Sequence, residues 1–258
     1  YRKRFLLMET KIAVLGGKGG VGKTTITANL SYALAGKSLR VAAVDLDTGL
    51  NCLNRAFRNP KPLFYLNDVL TGRCRIRQAL VQSETRQSCY VLSVKENTDP
   101  PAQNIRALFT QMEQMFDYIL VDSPPGWGED AERAFKCCDH AVVVFTPHPN
   151  SVRGAAAVIE ALKPYDYLKI YSLLNMVRGD LVKSGAIPTP FELFNMLKVS
   201  PLGLVPDSDA FGFSPVASSE IFDIAANNLH NGRSDIFDCV KQYSGFFGKL
   251  KSKMKRNA

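Results

Sequence analysis

Short, nearly uninterrupted apolar runs alternate along this chain with stretches whose apolar residues recur every three or four positions. The runs are Ile12–Leu15, Val41–Val44, Tyr90–Val94, Tyr118–Val121, Ala141–Phe145, Ile170–Leu174 and Leu202–Val205. They are rich in β-branched and aromatic side chains, as buried strands are. Helical spacing is clearest over 102–116, where Ala102, Ile105, Leu108, Phe109, Met112 and Phe116 share a face. Apolar strands separated by amphipathic helices predict an α/β fold. The expected form is a single three-layer domain, a mostly parallel twisted sheet with helices on both faces. Ligands bind such sheets at the carboxyl ends of the strands, and the motifs with chemistry fall there.

The first of them follows Ile12–Leu15. Gly17-Lys18-Gly19-Gly20-Val21-Gly22-Lys23-Thr24 fits the phosphate-binding pattern G-x-x-x-x-G-K-[ST], and Thr25 opens a helical run to Leu34. Glycines let the backbone curl so that its N–H groups point at phosphate oxygens, and the helix N-terminus adds positive potential. Lys23 is expected to reach the β- and γ-phosphates, and Thr24 to offer a hydroxyl to Mg²⁺. The cofactors implied are ATP and Mg²⁺.

Two further strands end in carboxylates. Val41–Val44 runs into Asp45-Leu46-Asp47, whose alternation sends both aspartates toward the same edge of the sheet. Beside a triphosphate they would serve Mg²⁺ through water and position the attacking water. Tyr118–Val121 ends in Asp122, read as a Walker B aspartate holding Mg²⁺ through its water shell. Gly126 follows in the proline-stiffened loop Ser123-Pro124-Pro125, placed to offer its N–H to a γ-phosphate. Trp127, the single tryptophan, is best read as a packed loop aromatic.

Lys18 sharpens the reading, because an ordinary phosphate loop accepts almost any residue there. The run KGGVGKTT resembles the deviant Walker A motif of the ParA/MinD ATPase superfamily, and the resemblance spans most of residues 11–256. It implies an ATP hydrolase that forms a homodimer when ATP-bound, with Lys18 touching the partner's ATP across the seam. A cation delivered in this way stabilises charge on the transferring phosphoryl group. The resemblance makes Asp47, the second aspartate of switch I, the group that orients or activates water. It also sets Asn175, expected at the end of its strand, against the adenine edge, and Pro206-Asp207 in a loop closing over the base. The chain departs from the family pattern at Asn51-Cys52 and over Ser208–Ser218.

The formal net charge is +8. Arg2, Lys3 and Arg4 together with Lys249, Lys251, Lys253, Lys255 and Arg256 account for all of it, so the chain between is neutral. A neutral core is unlike a nucleic-acid-binding domain, and no specific nucleic acid is expected as a partner. Six cysteines without a C-x-x-C pair read as reduced thiols of a cytoplasmic protein, and the histidines at 140, 148 and 230 lack metal-ligand spacing.

The basic C-terminus carries its own pattern. On a helix Phe246, Phe247, Leu250 and Met254 share one face, flanked by Lys249, Lys251 and Lys253. Each basic residue near an anionic leaflet contributes roughly 1 kcal/mol. A single short helix therefore binds weakly, and two copies in a dimer gain by avidity. The expected organisation is an N-terminal extension at 1–8, the ATPase domain over 9–243, and a membrane-targeting tail at 244–258. No apolar run approaches the roughly 18 residues of a membrane span.

Together these features predict a cytoplasmic ATPase, peripheral on the inner face of the cell membrane, that positions the division septum. The resemblance implies a division inhibitor and an activating partner of the MinC and MinE type. Alternatives are a regulator of flagellar number or placement, a ParA-like positioning ATPase, and a nucleotide-binding adapter without membrane cycling.

Overall fold

The computed structural model describes residues 10–47, 52–96, 105–165, 169–208 and 220–241. Its strands are β1 (Thr10–Leu15), β2 (Val41–Asp45), β3 (Val81–Gln82), β4 (Cys89–Ser93), β5 (Tyr118–Asp122), β6 (His140–Phe145), β7 (Lys169–Val177) and β8 (Ser200–Pro206). They form one sheet in the order β3-β4-β2-β5-β1-β6-β7-β8. Neighbours pair in parallel, except that the short β3 runs antiparallel to β4 at the edge. The expected mostly parallel α/β domain is therefore found.

The burial of the strands explains the missing alternation. Along β1, Ile12 and Val14 face one core while Ala13 and Leu15 face the other. With both faces covered, every position must be apolar. One face is closed by α1 (Lys23–Ala35), α2 (Cys52–Ala56) and α10 (Glu220–Asn231), which contribute Ile26, Leu30, Leu34, Leu53 and Phe222. The other is closed by α3 (Leu66–Leu70), α4 (Ile76–Ala79), α5 (Ile105–Glu113), α6 (Glu129–Phe135), α7 (Pro149–Leu162) and α9 (Pro190–Leu197). The short α8 (Gly179–Lys183) follows β7.

The helix expected over 102–116 is shorter where it is described. It ends at Glu113, and a tight turn, with Phe116 N–H donating to Met112 carbonyl, carries the chain into β5. Phe116 nonetheless stays in the core, so the periodicity reported burial correctly and overran the helix end. α9 shows why local chemistry sets a helix start. Pro190 occupies its first turn, and Thr189 and Glu192 form a reciprocal capping box. Among the described residues no helix is long and apolar enough to cross a membrane.

Candidate functional site

The loop between β1 and α1 lies at the carboxyl edge of the sheet, near its centre. Two glycines there have no substitute. Gly22 has φ +93°, and a methyl group on it would lie 2.3 Å from Asn175 Nδ2. A methyl on Gly17 would lie 2.1 Å from the carbonyl of Gly154 in α7. The backbone of the loop is thus pressed against α7 on one side and β7 on the other. Gly19 and Gly20 are exposed, Val21 is buried, and Lys18 projects into solvent. Lys23 is only 7% exposed, so its ammonium is held near the buried carboxylates.

Below the loop lies a cluster of carboxylates and hydroxyls. Thr24 Oγ1 donates to Asp122 Oδ2 at 2.5 Å, and Thr27 Oγ1 approaches Asp122 Oδ1 at 3.5 Å. Thr24 and Thr27 are one helical turn apart, so α1 presents both hydroxyls to one carboxylate. Sequence reasoning missed Thr27, although this three-residue spacing was the available signal. Asp45 accepts from the N–H of Asp47 on Oδ1 (3.0 Å) and from the N–H of Leu53 on Oδ2 (3.1 Å). The second bond satisfies an otherwise unpaired donor in the first turn of α2. Asp47, half-buried, is held beside Asp45 through its backbone.

Burial governs the electrostatics of this cluster. It pushes the Asp122 carboxyl up to about 8, aided by the charge of Asp45 and opposed by the Thr24 hydrogen bond and by Lys23. Burial likewise pushes Asp45 up to about 6, against the two backbone hydrogen bonds it accepts. Desolvated carboxylates of this kind call for a cation. Magnesium is commonly held by one or two carboxylates together with phosphate oxygens and water. Thr24, Asp122 and Asp45 supply oxygen donors that fit it. The glycine cradle and Lys23 fit a polyphosphate.

The remaining expected residues are distributed around the loop. Thr25 is half-buried at the start of α1, and Gly126 lies in the turn after β5. Trp127 packs against Phe135, with ring centroids 5.4 Å apart, as a loop aromatic does. Asn175 does not end its strand: β7 continues to Val177 with a register irregularity after Leu174. Asn175 is buried, and its Nδ2 donates to the Val21 carbonyl at 2.8 Å. Its visible partner is therefore the phosphate loop itself. Pro206 pairs with Val177, and Asp207 N–H donates to the Val177 carbonyl at 3.0 Å, so β7 and β8 end side by side. The expected anchor residues Phe246, Phe247, Lys249, Leu250, Lys251, Lys253 and Met254 lie outside the described residues.

A parallel sheet with a glycine cradle feeding a central helix, and a Walker B aspartate one strand away, defines the class: a P-loop nucleoside-triphosphate-binding protein of the deviant Walker A type. Residues 9–170 match a family described as an AAA domain. The septum site-determining protein MinD of Bacillus subtilis (strain 168) is 35% identical over 208 residues, covering 78% of each chain. A putative septum site-determining protein MinD of Emiliania huxleyi is 34% identical, covering 78% of this chain and 76% of its own. The solved MinC:MinD cell division protein complex of Aquifex aeolicus contains a chain that superposes with a TM-score of 0.79 at 28% identity. That match covers 88% of this chain and 97% of its counterpart. The chain belongs to the MinD family of septum site-determining proteins.

Proposed function

We propose that this protein is a Mg²⁺-dependent ATPase that dimerises with ATP, attaches to the inner membrane surface and positions the division septum. The observation that carries the reading is the Thr24–Asp122–Asp45 cluster enclosed beneath a phosphate loop whose Lys18 remains exposed. Bound Mg²⁺ would neutralise charge on the phosphates. Thr24 would hold the ion directly, with Asp122 and Asp45 acting through its water shell. The loop N–H groups from Gly17 to Thr25 and the Lys23 ammonium orient the triphosphate, and Gly126 offers a further N–H. Asp47, two residues beyond the end of β2, orients the attacking water. Lys18 is available to a second copy, where it stabilises transferring charge.

In this reading residues 9–243 are the ATPase domain, residues 1–8 an extension and residues 244–258 the membrane anchor. The family supports a role in division-site placement, and the MinC:MinD cell division protein complex of Aquifex aeolicus supports a MinC-like partner. The protein is cytoplasmic and peripheral on the membrane, released when hydrolysis dissolves the dimer.

The test is co-sedimentation with anionic vesicles in ADP and in a non-hydrolysable ATP analogue, using the full chain and one lacking 243–258. The reading requires sedimentation only for the full chain with the ATP analogue. Equal sedimentation in both nucleotides, or none in either, rejects the membrane switch.

A further inference from the structure

Asp45 stands in a polar row. Three adjacent parallel strands, β4, β2 and β5, end on Ser93, Asp45 and Asp122. Register makes Ser93 the strand partner of Asp45, and Asp45 the partner of Asp122. Neighbouring strands lie about 4.8 Å apart, within reach of a short side chain. Two positions back, Val91 and Ala43 both face the core closed by α1 and α2. Alternation therefore turns Ser93 and Asp45 to that same face, where Thr24 of α1 meets Asp122. All three row members are buried, Ser93 with 2% of its surface exposed.

The two aspartates have hydrogen-bond partners, and the serine does not. Thr24 donates to Asp122, and the amides of Asp47 and Leu53 donate to Asp45. The Ser93 hydroxyl has no partner among the described residues. A buried hydroxyl is nearly always hydrogen-bonded, and one left alone costs stability that an alanine there would not. Among the described residues Ser31, Asn54, Asn59, His140 and Ser172 also carry a buried unpaired polar atom, but none is the strand partner of a site residue. The end of β4 is itself fixed. Val94 N–H donates to the Asp45 carbonyl at 3.1 Å, and Lys95 N–H to Asn67 Oδ1 at 2.7 Å. Backbone bonds thus hold Ser93 beside Asp45 while its hydroxyl can turn about a single bond.

Asp45 has room for that donor. A carboxylate offers about four acceptor positions, two on each oxygen. The amides of Asp47 and Leu53 take one on each oxygen, which leaves one on each. One suits a water of a bound magnesium ion, and the other suits a donor from β4. We propose that Ser93 is a positioning residue for magnesium: its hydroxyl donates to the Asp45 carboxylate when the ion is bound, and so fixes the group that receives the ion's water. Outer partners of this kind orient the groups nearer a metal and raise affinity for it. On binding, the serine exchanges an unpaired hydroxyl for a paired one, which adds to the preference for magnesium-bound nucleotide. This rests on the Mg²⁺ and nucleotide reading of the site.

The experiment is isothermal titration calorimetry with ADP, in Mg²⁺ and in EDTA, on the wild type, Ser93→Ala and Ser93→Cys. The ratio of the two dissociation constants measures what magnesium adds. In Ser93→Ala that ratio should fall about three- to tenfold, the scale of one hydrogen bond. Binding in EDTA should stay at the wild-type value. Ser93→Cys, which fills a similar space with a weak donor, should lose as much. Without ligand, Ser93→Ala should unfold on heating no earlier than the wild type, since no bond is removed. An unchanged ratio in Ser93→Ala overturns the proposal. So does an equal loss in Mg²⁺ and in EDTA, which would make Ser93 a support for the shape of the site. A Ser93→Cys protein with the full ratio also overturns it, because space and not the hydroxyl would then matter. Earlier unfolding of ligand-free Ser93→Ala does the same, by showing the hydroxyl already bonded. A wild type that binds ADP equally in both conditions removes the magnesium reading and the proposal with it. A wild type that binds ADP in neither removes the nucleotide reading as well.

Discussion

Asp45 and Asp122 are register partners on the adjacent parallel strands β2 and β5, and both are fully buried. Two carboxylates brought side by side without solvent repel each other if both ionise. Each has its hydrogen bonds, Asp45 from two backbone amides and Asp122 from Thr24, and Lys23 acts on Asp122 through its charge. Burial raises both carboxyls, so the protein's stability depends on pH.

The sign follows from proton linkage. Both carboxyls are raised above the ordinary 3.8, to about 6 and about 8, so folding takes up protons that the unfolded chain would release. The stabilisation is complete below 3.8 and is lost as pH rises through the two folded values. Without magnesium and nucleotide, the Tm of the wild type should therefore fall relative to Asp122→Asn as pH is raised across that window. Thermal unfolding followed by circular dichroism measures the difference. A wild type that gains on the variant with rising pH would contradict the assignment.

Asp47 donates its backbone N–H to the Asp45 carboxylate just beyond the end of β2. Asp47→Ala should bind ATP and dimerise like the wild type while turnover falls by about 10²–10⁴-fold, the usual scale for a positioned base. Phosphate release and size-exclusion chromatography with ATP separate the two effects. Normal turnover would mean that another group handles the water.

Gly17 meets Gly154 backbone to backbone, and the added methyl of Gly17→Ala would lie 2.1 Å from that carbonyl. The loop or α7 must shift. The expected cost is about 1–3 kcal/mol of stability, accompanied by weaker ATP binding as the cradle opens. Denaturant unfolding and calorimetry report both. Wild-type values in both would show that the approach of α7 to the loop is not structural.

Phe247→Glu puts a charge on the apolar face expected of the tail. ATPase activity should be retained and sedimentation with anionic vesicles lost, because burial of that face adds to the attraction of the lysines. If the variant still sediments, the anchor lies elsewhere in the chain.

The local parts of the machine were legible in the order of residues. The phosphate loop, the Asp45 and Asp122 strand ends and the alternation of strand and helix are each written within a few consecutive positions. Backbone conformation and period-two or period-3.6 burial act over that range. What the sequence could not tell was which segments meet. Asn175 bonds to Val21 across 154 positions, Gly17 needs the smallness of Gly154, and Asp45 finds a donor in Leu53 because α2 begins beside it. Periodicity says that a face is buried but not against what. The positive φ of Met176, at the break in register between β7 and β8, likewise has no signature in the sequence. Sequence alone determined the chemistry this protein carries, because that chemistry resides in residue types at short spacing. Strand order and register decided which carboxylates share one buried space and which side chains brace the phosphate loop, because those contacts exist only once distant segments are packed together.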